Sequence, residues 1–141
     1  MNIIQIFKEQ SIKPSDTFQE MLYTFGSSNG NEVFLNYAIL KSIGSQTTYP
    51  AIVSHMFKLL QDTSSVHSKI IVHVYLKSLT VSDVDKHKQF IMDVIKKLNE
   101  DLPNILDACY LYKTPFVFSQ IYNLISIVID KETREKIHII K

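Results

Sequence analysis

The stretch Val66-His67-Ser68-Lys69-Ile70-Ile71-Val72-His73-Val74-Tyr75-Leu76-Lys77-Ser78-Leu79 decides the fold. Its centre, Ile70 to Tyr75, is dense in β-formers and reads equally as a buried strand. Two arguments favour a helix. Val66, Ile70, Val74 and the Leu76–Leu79 end fit a 3.6-residue period, and the sequence offers no second strand to pair with it. The ending Ile137-His138-Ile139-Ile140 carries the same ambiguity. With both taken as helical, the chain is expected to be all-α, with seven to eight short antiparallel helices in an irregular bundle or a short helical-repeat stack.

Working outward, helix signals recur. Ser15 or Asp16 caps a helix to Phe25, and Gly26-Ser27-Ser28-Asn29-Gly30 ends it. Asn31 caps the next, with Gly44 at its C-cap. Thr48 and Pro50 open a third, which breaks at Asp62-Thr63-Ser64-Ser65. Ser82 with Asp85 forms a capping-box-like start to a helix with Val84, Ile91, Val94, Ile95 and Leu98 on one stripe. Pro103 opens a sixth helix and Thr114-Pro115 a seventh that runs to Ile129. Asp130 caps an eighth.

Two helix pairs look alike. Pro50–Leu60 with Val66–Leu79 matches Val84–Leu98 with Pro103–Tyr112 at an offset of about 35 residues, near the period of helical-pair repeats. The run Met56-Phe57-Lys58-Leu59-Leu60-Gln61-Asp62-Thr63-Ser64-Ser65-Val66 resembles the helix–turn–helix of a HEAT or armadillo-like repeat, and the likeness extends over about 80 residues. The common Arg of the second HEAT helix is missing; Lys69 is nearby.

Composition sets the bounds. The chain has 141 residues, 45% hydrophobic and 21% charged. That is one domain, residues 1–141, able to bury about two-thirds of its unfolded surface. Fifteen basic residues nearly cancel fourteen acidic ones, and Arg134 is the lone arginine. Nucleic acid therefore has little to attract it in bulk and no guanidinium set to read it. One cysteine excludes an internal disulfide. The N-terminus has no signal-peptide pattern, and the longest apolar stretch, Phe116 to Ile129, is too short for a bilayer. The expectation is a cytoplasmic protein with no membrane partner.

Sites of chemistry are sparse. No phosphate loop, dinucleotide fingerprint or nucleophile elbow occurs. Among five histidines, none pairs with cysteine at metal spacing. Asp83 and His87 are four apart, which suits a helix N-terminus better than a metal. Cys109 reads as a core thiol. No cofactor, metal or catalytic residue is assigned, and no enzyme activity is expected. Two uncharged or basic stripes remain as partner-binding candidates. Lys69, His73 and Lys77 would share a face of helix 66–79 and meet an acidic protein. Ser119, Asn123 and Ser126 form a narrow polar line, continued by Asp130, on an otherwise apolar helix. The expected function is non-catalytic protein–protein binding, as a helical adaptor or a small single-partner inhibitor or immunity-type protein. Homo-oligomerisation or membership of a larger assembly is compatible with it. The alternative is a DNA-binding transcriptional regulator using helices 33–43 and 50–60 as a helix-turn-helix.

Overall fold

The computed structural model describes residues 2–101, 104–116, 118–127 and 129–140. Its architecture is α/β, which overturns the all-α expectation. The order is α1 (Ile3–Glu9), α2 (Phe18–Phe25), β1 (Gly26–Asn29), β2 (Glu32–Asn36), α3 (Tyr37–Ile43), α4 (Tyr49–His67), β3 (Ile70–Tyr75), α5 (Val81–Asp101), β4 (Leu106–Tyr112), α6 (Phe118–Ser126), α7 (Lys131–Glu135) and β5 (Ile137–Ile140). The five strands form one sheet in the order β1-β2-β3-β4-β5. The β1–β2 pair is antiparallel; the other three pairs are parallel.

The deciding stretch is therefore split. Helix α4 runs to His67 and is stopped at Ser68, whose φ is 57°. Strand β3 then lies at the centre of the sheet, paired on both sides. The Ile71 amide donates to the Asn31 carbonyl (2.9 Å), and the Ile70 amide donates to the Ile105 carbonyl (2.8 Å). Ile70, Ile71, Val72 and Val74 are stiff at χ1 and suit a pleated surface. A central parallel strand is covered on both faces and shows no alternation. Most of β3 is accordingly buried on either side, which made it resemble a core helix.

The partners of β3, namely β2 and β4, both fall in stretches where the sequence predicts helices. Strand β2 replaces the start of the helix expected from Asn31, and β1 replaces the loop expected at Gly26–Gly30. Gly30, at φ 62°, takes the first place of the two-residue turn between Asn29 and Glu32, where glycine meets the backbone demand of a type II′ hairpin. Strand β4 replaces the expected sixth helix, whose opening Pro103 lies outside the described residues. The 137–140 segment is strand β5.

Several end signals match. Thr48 and Pro50 stand at the start of α4, Gly44 caps α3 and Asp130 caps α7 through the Thr133 amide (2.7 Å). Others shift. Thr17 rather than Ser15 or Asp16 caps α2, in a reciprocal box with Glu20. The expected break at Asp62–Ser65 is absent, because the Thr63, Ser64 and Ser65 hydroxyls donate to carbonyls three or four residues back within the helix.

The strand order explains the layering. Parallel crossovers are right-handed, and the progression from β2 to β5 never reverses, so the crossover helices fall on one face. Helix α4 buries Ile52, Met56 and Leu60 against Ile70, Val72 and Val33 there. The other face is closed by α1. Its Phe7 is 1% exposed, stacks on Tyr75 at 4.9 Å and meets Phe34 edge-on at 5.9 Å.

Candidate functional site

On the crossover face the sheet and helices do not close on each other. They leave a cavity of about 400 Å³. One water needs only roughly 10–15 Å³ by the same kind of measure. Its floor is Leu35 of β2, Val72 and Val74 of β3, and Cys109 and Leu111 of β4. These sit at alternate strand positions and share one face. The roof is α5, with His87, Phe90, Ile91, Val94 and Ile95, and part of α6, with Phe118 and Tyr122. Of the stripe read on α5 from its sequence, Ile91, Val94, Ile95 and Leu98 line this cavity, while Val84 packs into the core beside it.

The two ends differ. Asn99, Asn104, Glu132, Thr133 and Lys136 lie near the amino ends of the strands and make a polar rim. At the carboxyl ends, Tyr37, Leu79 and His87 close the space. His87 is 1% exposed. Its Nδ1 shares a short hydrogen bond with the Tyr49 hydroxyl, while its Nε2 has no partner. The Tyr37 hydroxyl is also buried. It lies beside the Asp83 carboxylate and interacts with it. Burial holds His87 below the ordinary histidine range, with Lys86 adding to the effect. Burial pushes the Tyr37 phenol up, and Asp83 pushes it further. Both are uncharged at neutral pH.

Asp83 belongs to the start of α5. Its amide takes the Thr80 Oγ1 as acceptor (3.1 Å), and its carboxylate accepts from the Thr80 amide (3.1 Å) and from Lys41 Nζ (3.0 Å). The capping box expected at Ser82 and Asp85 thus sits two residues earlier. Burial would raise the Asp83 carboxyl, but Lys41, the Thr80 amide and Tyr37 together hold it below the usual range. The Asp83–His87 pair is structural at the carboxylate, as expected, and faces the cavity at the imidazole.

Cys109 lines the floor and is a free thiol. Burial pushes it up to about 12. It retains some accessible surface although protein surrounds it, because that surface faces the internal space.

The stripe of Lys69, His73 and Lys77 does not exist as a helix face. Lys69 precedes β3 and donates to the Asn104 carbonyl, and Lys77 follows the strand. His73 is buried within it, 4% exposed, on the face away from the cavity. Its Nδ1 meets the Tyr112 hydroxyl (2.8 Å), its Nε2 meets Glu32 (2.9 Å), and Phe34 and Tyr110 stack on either side. Ser119 and Asn123 are exposed on α6, as the second stripe requires. Ser126 turns its hydroxyl to the Asn123 carbonyl (2.9 Å), and Asp130 caps α7.

Sequence reasoning missed Tyr37 and the floor of the cavity. A wall facing an internal space is as apolar as a packed core, so periodicity does not distinguish them. The one readable signal was His87, a polar residue at the edge of an apolar stripe.

A helix-roofed sheet around an apolar space defines a class of α/β proteins with an internal pocket. The chain belongs to the CRAL/TRIO domain family, which matches residues 33–141. Among solved structures it is similar to the crystal structure of Sfh5, with a TM-score of 0.72 and 20% identity over 96% of this chain. It spans about half of that protein, 55% of its length. No curated protein sequence matches the chain.

These findings overturn the HEAT or armadillo resemblance, and with it the helical-repeat adaptor and inhibitor or immunity readings. The DNA-binding alternative falls with them. Its first helix, 33–43, is strand β2 followed by α3, and its 50–60 helix buries one face against the sheet. CRAL/TRIO proteins bind small lipophilic ligands. Among the described residues no helix is long and apolar enough to cross a membrane, and no three His, Cys, Asp or Glu side chains gather as a metal site.

Proposed function

We propose that this chain binds a small lipophilic molecule in the cavity beneath α5 and α6 and shields it from water for transfer. The observation that carries this reading is the cavity itself, about 400 Å³ with an aliphatic and aromatic wall, in a chain of the CRAL/TRIO family. Empty apolar space forfeits packing contacts, and a guest restores them. Binding rather than catalysis fits the wall, whose thiol is held far from a nucleophile's range. The free thiol also suits work in a reducing compartment such as the cytoplasm.

The test is transfer of a fluorescent lipid from donor to acceptor vesicles, by wild type and by Val94→Trp. The indole enters the cavity from α5 and occupies the guest's place. Transfer by wild type and its loss in the variant support the reading. No transfer by wild type, or equal transfer by a folded Val94→Trp, refutes it.

A further inference from the structure

Resting on that reading, we infer that Lys41 is a positioning residue that latches the roof. Its bond to Asp83 holds the start of α5 over the cavity and sets the rate at which a guest enters and leaves. A helix that roofs a cavity has few packing atoms beneath it, so its place depends on what ties it from the side. At the carboxyl end the wall is Tyr37 and Leu40 of α3, His87 of α5, and Leu79 in the turn that leads into α5. A tie between α3 and the start of α5 therefore fixes this end of the wall.

Lys41 makes that tie. It extends from α3, and its Nζ donates to the Asp83 carboxylate in the first turn of α5 (3.0 Å) and to the Ser78 carbonyl in the preceding turn (3.1 Å). That turn is strained. The Leu79 amide donates to the Leu76 carbonyl (3.2 Å), and Ser78 between them has a φ of 79°. A turn of this kind usually gives the position to glycine. Such a conformation persists only where its surroundings over-determine it, and Lys41 holds the Ser78 carbonyl. Asp83 is fixed in turn by the Thr80 amide and lies beside the Tyr37 phenol. Its side chain is 10% exposed. Without Lys41 the carboxylate is poorly hydrated while α5 is closed and better hydrated once the first turn lifts. The pair thus weights closed over open. Neither Lys41 nor Asp83 lines the cavity, so a guest touches neither. The latch acts on entry and exit alike and leaves the contacts to a bound guest unchanged. The Lys41 side chain is 40% exposed, so salt reaches the pair and weakens it.

Stopped-flow binding of Nile red to the full chain tests this, with association and dissociation rates read separately. Lys41→Met keeps the stem and removes the charge. Both rates should rise about fivefold, the worth of one partly exposed charge pair, while their ratio, the Kd, stays as in wild type. Asp83→Asn, which keeps an acceptor for the Thr80 amide, should give the same rise, and Lys41→Arg should return both rates toward wild type. Salt of about 1 M, where the screening length is roughly 3 Å, should close the gap between wild type and Lys41→Met. Rates unchanged in both charge-removing variants overturn the latch while leaving the cavity reading intact. A raised Kd with an unchanged association rate also overturns it, since Lys41 would then only support the wall. Nile red that does not bind wild type removes the cavity reading, and the latch with it.

Discussion

Adjacent residues of β4 give opposite answers to the same perturbation if the cavity is real. Cys109 faces the space, and Ala108, 8% exposed, faces the other side of the sheet. Cys109→Leu adds two heavy atoms to a wall with room for them. At about 0.8 kcal/mol per buried methylene, the full gain is about 1.5 kcal/mol. Part of the new surface still borders the cavity, so a net stabilisation of about 0.5–1 kcal/mol is expected. Ala108→Leu adds three carbons at a buried position on the opposite face, away from the cavity. Overpacking of that kind costs about 1–3 kcal/mol. Urea unfolding followed by circular dichroism reads both. The expected pattern is a raised midpoint for Cys109→Leu, a lowered one for Ala108→Leu and an unchanged slope. Equal destabilisation by the two would refute the reasoning, since it would mean that the sheet is packed alike on both faces in solution.

Three further outcomes follow from named contacts. Thr80→Ala removes the acceptor for the Asp83 amide at the head of α5 and should cost about 1 kcal/mol, read by thermal melting; no change would mean that the box is not formed. The folded pKa of His87 is depressed, so the unfolded state takes up more protons as pH falls through about 6.5, and stability should fall with it. That slope between neutral pH and pH 5 should be reduced in His87→Gln in paired urea titrations, and an identical slope would count against a buried neutral imidazole. Cys109 should react slowly with iodoacetamide at neutral pH and rapidly once the chain is denatured, because burial pushes its thiol up to about 12.

Much of the roof was legible and almost none of the floor. The α5 stripe of Val84, Ile91, Val94, Ile95 and Leu98 reads correctly because a long helix packs by one face and keeps Lys86, Lys88, Lys96 and Lys97 off it. Strands β3 and β4 defeat the same method. Covered on both sides, they lose the alternation that announces a half-exposed strand. Their partners are also remote in sequence, since a parallel neighbour needs a crossover of a dozen residues or more. The argument that nothing existed to pair with Ile70–Tyr75 therefore failed through locality. Its partners, Glu32–Asn36 and Leu106–Tyr112, each lie more than thirty residues away.

The repeat of about 35 residues is informative once its unit is changed. β3 begins at Ile70 and β4 at Leu106, so the interval is the length of a strand, its crossover helix and the return. The self-similarity of 50–79 and 84–112 was that of helix-then-strand units, read as helix-then-helix because each strand is as apolar as the helix before it. The proposed function accounts for the same uniformity. The floor is built from Leu35, Val72, Val74, Cys109 and Leu111, with no charged side chain to break the run, as the proposed binding of an aliphatic guest requires. Where the run is broken, at Tyr37 and at His87, two polar side chains border the same end of the space. Those two breaks, one just after β2 and one in the first half of α5, lie fifty residues apart in the chain and meet only because the right-handed crossovers bring both to the carboxyl end of the sheet.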